Sequence, residues 1–122
     1  MKECRLEEKE LLDKSHMPVL LVLNTIGQTR FLRILEAVSK GTGFGEEFGV
    51  CTMPDDLDEF DKANGEELNG VEFSTYDREE VIIDYRVFYD YLCILCDKYL
   101  KENLDQTDIV RGYLLDYSNR FL

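Results

Sequence analysis

The sequence predicts an α+β fold: a small antiparallel β-sheet built on a central hairpin and packed with about four to five α-helices, the N- and C-terminal parts being helical. Two patterns carry this prediction. Apolar residues recur at three and four positions along 29–40, 86–101 and 105–117, while 71–75 alternates in period two and is followed by a β-branched run to Tyr85. No linker, internal repeat or low-complexity segment divides the 122 residues, which is room for one domain spanning 1–122 with its own hydrophobic core.

Element by element, Cys4–Lys14 reads as a weak short helix around Leu6, Leu11 and Leu12. In Ser15–Ile26, Val19, Val22, Leu23 and Ile26 form a stripe, with Ser15 as a cap and Pro18 in the first turn. A helix is expected there, although Val19–Leu23 alone fits a short buried strand equally well. Thr29–Lys40 carries Phe31, Leu32, Leu35 and Val38 on one face, with Thr29 as the cap and Gly41 as the stop. The glycine-rich stretch Gly41–Gly49 reads as irregular, and Val50–Met53 as a short strand broken by Pro54.

Val71, Phe73 and Thr75 alternate with Glu72 and Ser74, and with Glu80–Tyr85 they make the hairpin. Phe88, Tyr91, Leu92, Leu95, Cys96 and Tyr99 give Arg86–Lys101 its helical stripe. The last helix is expected to start at Asp105, where Asp105 and Asp108 suit the positive end of the helix dipole, and to turn Ile109, Val110, Tyr113, Leu114 and Tyr117 inward.

Charge is the strongest functional signal. Against 14 Lys+Arg stand 26 Asp+Glu, a formal charge of −12. Thirteen of the acids and only two of the bases fall between Glu46 and Glu80, so 35 residues hold eleven of the twelve excess negative charges. Such a balance disfavours direct contact with nucleic acid or an anionic membrane and favours a cationic partner. Aromatic and aliphatic anchors sit among the acids: Phe44, Phe48, Leu57, Phe60, Phe73 and Tyr76. Interfaces combine such anchors with a charged rim, and the same residues can equally pin the segment to the domain.

The chemistry-bearing motifs fail one by one. Gly41-Thr42-Gly43-Phe44-Gly45 lacks the Lys-Ser/Thr of a phosphate loop and runs into Glu46 and Glu47. Cys93 and Cys96 have half-zinc-site spacing, yet they lie on a predicted helix and read as core thiols. His16, the one histidine, has no motif supplying a nucleophile or orienting acid. Asp55-Asp56-Leu57-Asp58-Glu59-Phe60-Asp61 fails the calcium-loop template in both registers. No metal, cofactor or catalytic residue is therefore assigned; the alternative is a carboxylate-rich small enzyme or divalent-cation-dependent regulator using these acids. Four sparse cysteines and the lack of an export signal or of an apolar run beyond Met17–Leu23 place the chain in the cytoplasm.

Gly43-Phe44-Gly45-Glu46, Cys51-Thr52-Met53-Pro54-Asp55-Asp56-Leu57 with Phe60-Asp61, Gly70-Val71-Glu72-Phe73, Tyr85 with Phe88-Tyr89 and Tyr91-Leu92, and Cys96 with Tyr99-Leu100 form a recognisable series. It resembles the ribonuclease-toxin immunity proteins of bacterial contact-dependent growth-inhibition systems, from about Phe31 to Phe121. Met53 stands where that pattern has an aromatic residue, and the first thirty residues match poorly. The resemblance implies a non-enzymatic antidote that binds the ribonuclease domain of an incoming toxin. A ribonuclease cleft must be electropositive to hold RNA, so an acidic surface can cover it. The expected contact residues are Asp55, Asp56, Asp58, Glu59, Asp61, Glu66, Glu67, Asp77 and Glu79.

Overall fold

Alternation of apolar and polar side chains builds the sheet. In the computed structural model, which describes residues 6–46, 49–56 and 70–122, four strands follow one another: β1 (Phe44–Glu46), β2 (Gly49–Thr52), β3 (Val71–Thr75) and β4 (Glu80–Ile83). They pair antiparallel in the order β1-β2-β3-β4. Cys51 lies opposite Phe44 on one side and Phe73 on the other, and Phe73 opposite Val81. This row, with Val71 and Ile83, faces the core. The parity of the strands then turns Val50, Thr52, Glu72, Ser74, Glu80 and Ile82 to the outer face.

The predicted hairpin is β3–β4, and the expected strand at Val50–Met53 is β2 shifted by one residue. β1 was expected to be irregular. Three residues containing a glycine give too little alternation to read, and only pairing with β2 makes them a strand. β4 ends at Ile83 because Asp84 turns away to cap the following helix, accepting from the Val87 amide at 2.7 Å.

Four α-helices are found among the described residues: α1 (Met17–Leu23), α2 (Gln28–Ser39), α3 (Tyr85–Glu102) and α4 (Thr107–Phe121). Met17–Leu23 is thus helical, with Pro18 in its first turn. Neither predicted cap acts as one. Ser15 donates its amide to Asp13, and α2 begins after Gly27, which leaves Thr29 inside the first turn. Gly41 ends α2 as expected, in the left-handed region at φ 91° where a side chain would be strained.

The predicted N-terminal helix is replaced by two 3₁₀ turns, Glu8–Glu10 and Lys14–His16. Glu10 reaches back to the Glu7 amide and also pairs with Lys98 of α3 at 2.5 Å, so the chain is tied down turn by turn instead of continuing a helix. Burial opposes ionisation of Glu10, but the Lys98 hydrogen bond holds its carboxyl below the usual range. Asn24 grips Leu6 through both amide atoms, accepting from its N–H at 2.7 Å and donating to its carbonyl at 3.0 Å.

The core joins these elements. α1 packs on the inner sheet face so closely that a Cβ on Gly49 would lie 2.9 Å from Val22 Cγ2 and 2.4 Å from the Ser74 carbonyl. Phe88 of α3 meets Phe73 edge to face with centroids 5.6 Å apart and Tyr117 of α4 at 5.8 Å. Phe31 of α2 stacks on Tyr99 at 4.5 Å. Tyr117 donates its buried hydroxyl to the Tyr85 carbonyl at 2.7 Å, and burial drives its pKa well above the ordinary tyrosine range.

Two inward expectations change. Ile109 is 44% exposed, because the inward face of α4 runs through Val110, Tyr117 and the half-buried Tyr113, Leu114 and Phe121. Cys96 is buried in α3 as expected, whereas Cys93 is half-buried, one side of its helix position facing outward. Cys51, Cys93 and Cys96 are all free thiols.

Candidate partner-binding face

Pro54 cannot continue the β2 ladder, and the chain folds into a 3₁₀ turn at Pro54–Asp56. One carboxylate oxygen of Asp56 accepts two amides, Met53 N–H at 2.7 Å and Gly43 N–H at 2.9 Å. The Asp55 amide donates to the Gly41 carbonyl at 3.0 Å. These bonds lock the exit of β2 to the loop before β1. Asp55 and Asp56 are nevertheless both exposed, so their charge reaches solvent. Beneath them burial pushes the Cys51 thiol far above its usual pKa, and the Asp56 charge adds to the effect, so the thiol stays protonated.

The other predicted acids with described positions, Asp77 and Glu79, sit in the β3–β4 turn and are exposed. Thr75 organises that turn: its carbonyl accepts from Arg78 N–H at 3.0 Å, its amide donates to the Glu79 carbonyl at 2.8 Å, and its hydroxyl accepts from Glu79 N–H at 3.2 Å. Arg78 takes φ 69°, a left-handed position that three-residue hairpin loops usually give to glycine.

Pairing separates the two groups. Thr52 is opposite Glu72 and Gly49 opposite Thr75, so Asp55/Asp56 and Asp77/Glu79 occupy opposite ends of the sheet. Three residue steps of strand, about 10 Å at roughly 3.4 Å per residue, separate those ends. Glu72 and Glu80 bridge the gap. Glu72 pairs with Ile82 and Glu80 with Ser74, which places both carboxylates on the outer face. Sequence reasoning left them out of the site, though the burial of Val71 and Phe73 requires Glu72 to point away from the core, and that alternation was the available signal.

From β2 through β4 the described residues contribute Asp55, Asp56, Glu72, Asp77, Glu79 and Glu80 against Arg78 alone. Ile82, 58% exposed, lies among them, and Asp56 borders a shallow groove over Gly45, Val50 and Thr52. Asp58, Glu59, Asp61, Glu66 and Glu67, with the anchors Phe48, Leu57 and Phe60, fall outside the described residues. Of the remaining anchors Phe73 is core, Phe44 is half-buried and Tyr76 is exposed.

The geometry can hold cations of a partner by charge and offer apolar contact between them. Elsewhere, His16 Nδ1 meets the Tyr91 hydroxyl at 2.8 Å, and that hydroxyl also accepts the Leu12 amide at 2.9 Å, a packing arrangement tying the N-terminal turns to α3. Among the described residues no three His, Cys, Asp or Glu side chains are grouped to hold a metal, and no helix is long and apolar enough to cross a membrane.

No curated protein matches the chain. A family model described as CDI immunity protein matches residues 8–114, from the first 3₁₀ turn through the sheet and into α4. Because that match takes in the acidic face together with most of the scaffold beneath it, the chain belongs to the CDI immunity protein family and is an immunity protein against a contact-dependent growth-inhibition toxin.

Proposed function

We propose that the toxin is a ribonuclease and that the chain silences it, without itself breaking any bond, by laying the outer sheet face and its flanking turns over the basic cleft that binds RNA. The observation that carries this reading is the line of carboxylates Asp55, Asp56, Glu72, Glu80, Glu79 and Asp77 running from one end of the sheet to the other. RNA presents regularly spaced negative charge on a backbone, and a row of carboxylates on a rigid sheet offers a similar field without a cleavable bond. Asp58, Glu59, Asp61, Glu66 and Glu67 belong to the same proposed surface by sequence, since they lie between Asp56 and Gly70. The site of action in this reading is the cytoplasm, where cellular RNA is exposed to the toxin.

The test uses the triple variant Asp55→Asn, Glu72→Gln, Glu80→Gln, which removes charge without touching the Asp56 bonds. Its binding to the purified cognate toxin domain is measured as a function of salt, with RNA cleavage as the functional readout. Association is expected to slow on the order of ten-fold at low salt, with a shallower salt dependence and restored RNA cleavage. Wild-type association and inhibition in the triple variant, or a toxin domain that leaves RNA intact, would falsify the reading.

A further inference from the structure

At the turn end of the sheet, α1 and the β3–β4 turn enclose a cleft of about 310 Å³ lined by Leu21, Thr75, Tyr76 and Asp77. We propose that this cleft receives one lysine or arginine side chain of the toxin domain, its aliphatic stem lying on Leu21 and the Tyr76 ring and its charged head meeting Asp77. The inference rests on the reading above that the partner presents a basic surface, and adds where one residue of that surface is gripped.

Several independent features converge there. Val19, Val22 and Leu23 of α1 are buried, so the solvent side of this short helix is where a polar residue is expected, yet Leu21 stands there 40% exposed. Tyr76, at the tip of the turn, is 67% exposed. The turn that presents Tyr76 and Asp77 is held by three hydrogen bonds through Thr75 and retains Arg78 in the left-handed region despite its steric cost. The volume is at the lower limit of the roughly 300–1,000 Å³ typical of small-molecule sites, which suits a single inserted side chain.

The chemistry of the walls selects the occupant. Long basic side chains cover apolar surface with their stems while keeping the charged head near a polar group, and a cation over a tyrosine ring gains from the ring quadrupole. Asp77 supplies the counter-charge, and Glu79 and Glu80 outweigh the intervening Arg78 in a field that disfavours acidic peptides and phosphates alike. A tyrosine presented in a concave site is also one of the residue types in which interface hot spots are enriched.

The experiment measures dissociation of the chain from its purified cognate toxin domain, using Tyr76→Ala, Leu21→Ala and Asp77→Asn. All three positions are exposed, and thermal unfolding checks that each variant is folded. Tyr76→Ala and Asp77→Asn are each expected to speed dissociation about ten-fold or more, Tyr76→Ala with association rate and salt dependence near wild type and Asp77→Asn with only the small slowing of association that one lost charge brings. Their effects should be less than additive when combined, and replacing one particular Lys or Arg of the toxin by Gln should make Asp77→Asn silent. If Tyr76→Ala and Leu21→Ala matter but Asp77→Asn does not, the occupant is an apolar knob and the basic side chain is wrong. If none of the three matters while the Asp55/Glu72/Glu80 variant still weakens binding, the cleft assignment fails and the acidic face stands. If neither set matters, both readings fall.

Discussion

The two ends of the sheet carry the same kind of residue and use it differently. At the β2 exit, Asp56 spends an oxygen on the amides of Met53 and Gly43, so its charge is part of the fold as well as of the surface. At the β3–β4 turn, the backbone bonds are made by Thr75, leaving the Asp77 and Glu79 carboxylates outside that network. A carboxylate's place in an acidic run therefore says little about what its removal costs. What matters is whether nearby amides depend on it.

The largest effect should come from Asp56→Ala, which leaves the Met53 and Gly43 amides without their acceptor and is expected to lower stability by about 2 kcal/mol. Urea unfolding measures it, and a loss below about 0.5 kcal/mol, the range of neutral surface changes, would erase the distinction between the two ends. Next is Arg78→Gly. Relief of the left-handed strain outweighs the added freedom of glycine in the unfolded chain, and stability should rise by about 0.5–1 kcal/mol. A fall in the same unfolding assay would mean that the Arg78 side chain contributes more than its backbone costs. Smallest is Asp77→Ala, expected within about 0.5 kcal/mol of wild type. Should it destabilise as much as Asp56→Ala, the turn depends on that carboxylate after all.

Much of the scaffold is legible in the sequence because long apolar stripes are robust. Phe88, Tyr91, Leu92, Leu95 and Tyr99 are placed by spacing alone, and all are buried. Short elements are harder to read. Phe44–Glu46 becomes a strand through its neighbour, and Glu7–Glu10 closes a single turn through a local capping box instead of starting a helix. Ile109 was misplaced because an aliphatic residue at the edge of a stripe carries no mark of which side it faces. For the candidate site, composition located the acidic segment, but only the strand register separates its described acids into two ends and adds Glu72 and Glu80 between them. The involvement of Leu21 with Tyr76 joins residues more than fifty positions apart, and no local pattern could have paired them.

The order of pairing in the sheet also has a kinetic consequence. Ser74 meets Glu80 six residues away and Val71 meets Ile83 after twelve, whereas Thr52 must find Glu72 across twenty and Gly49 must find Thr75 across twenty-six. Short loops close first, so the β3–β4 hairpin and the β1–β2 unit, in which Phe44 meets Cys51 after seven residues and the Asp56 clasp reaches Gly43 over thirteen, are each expected to form before the long β2–β3 pairing. Arg78→Gly and Asp56→Ala, each within a local unit, should then both act on the refolding arm of a chevron plot. A carboxylate proposed for the partner surface thus also helps set how fast the fold is reached, so the speed of folding and the proposed acidic face share a residue.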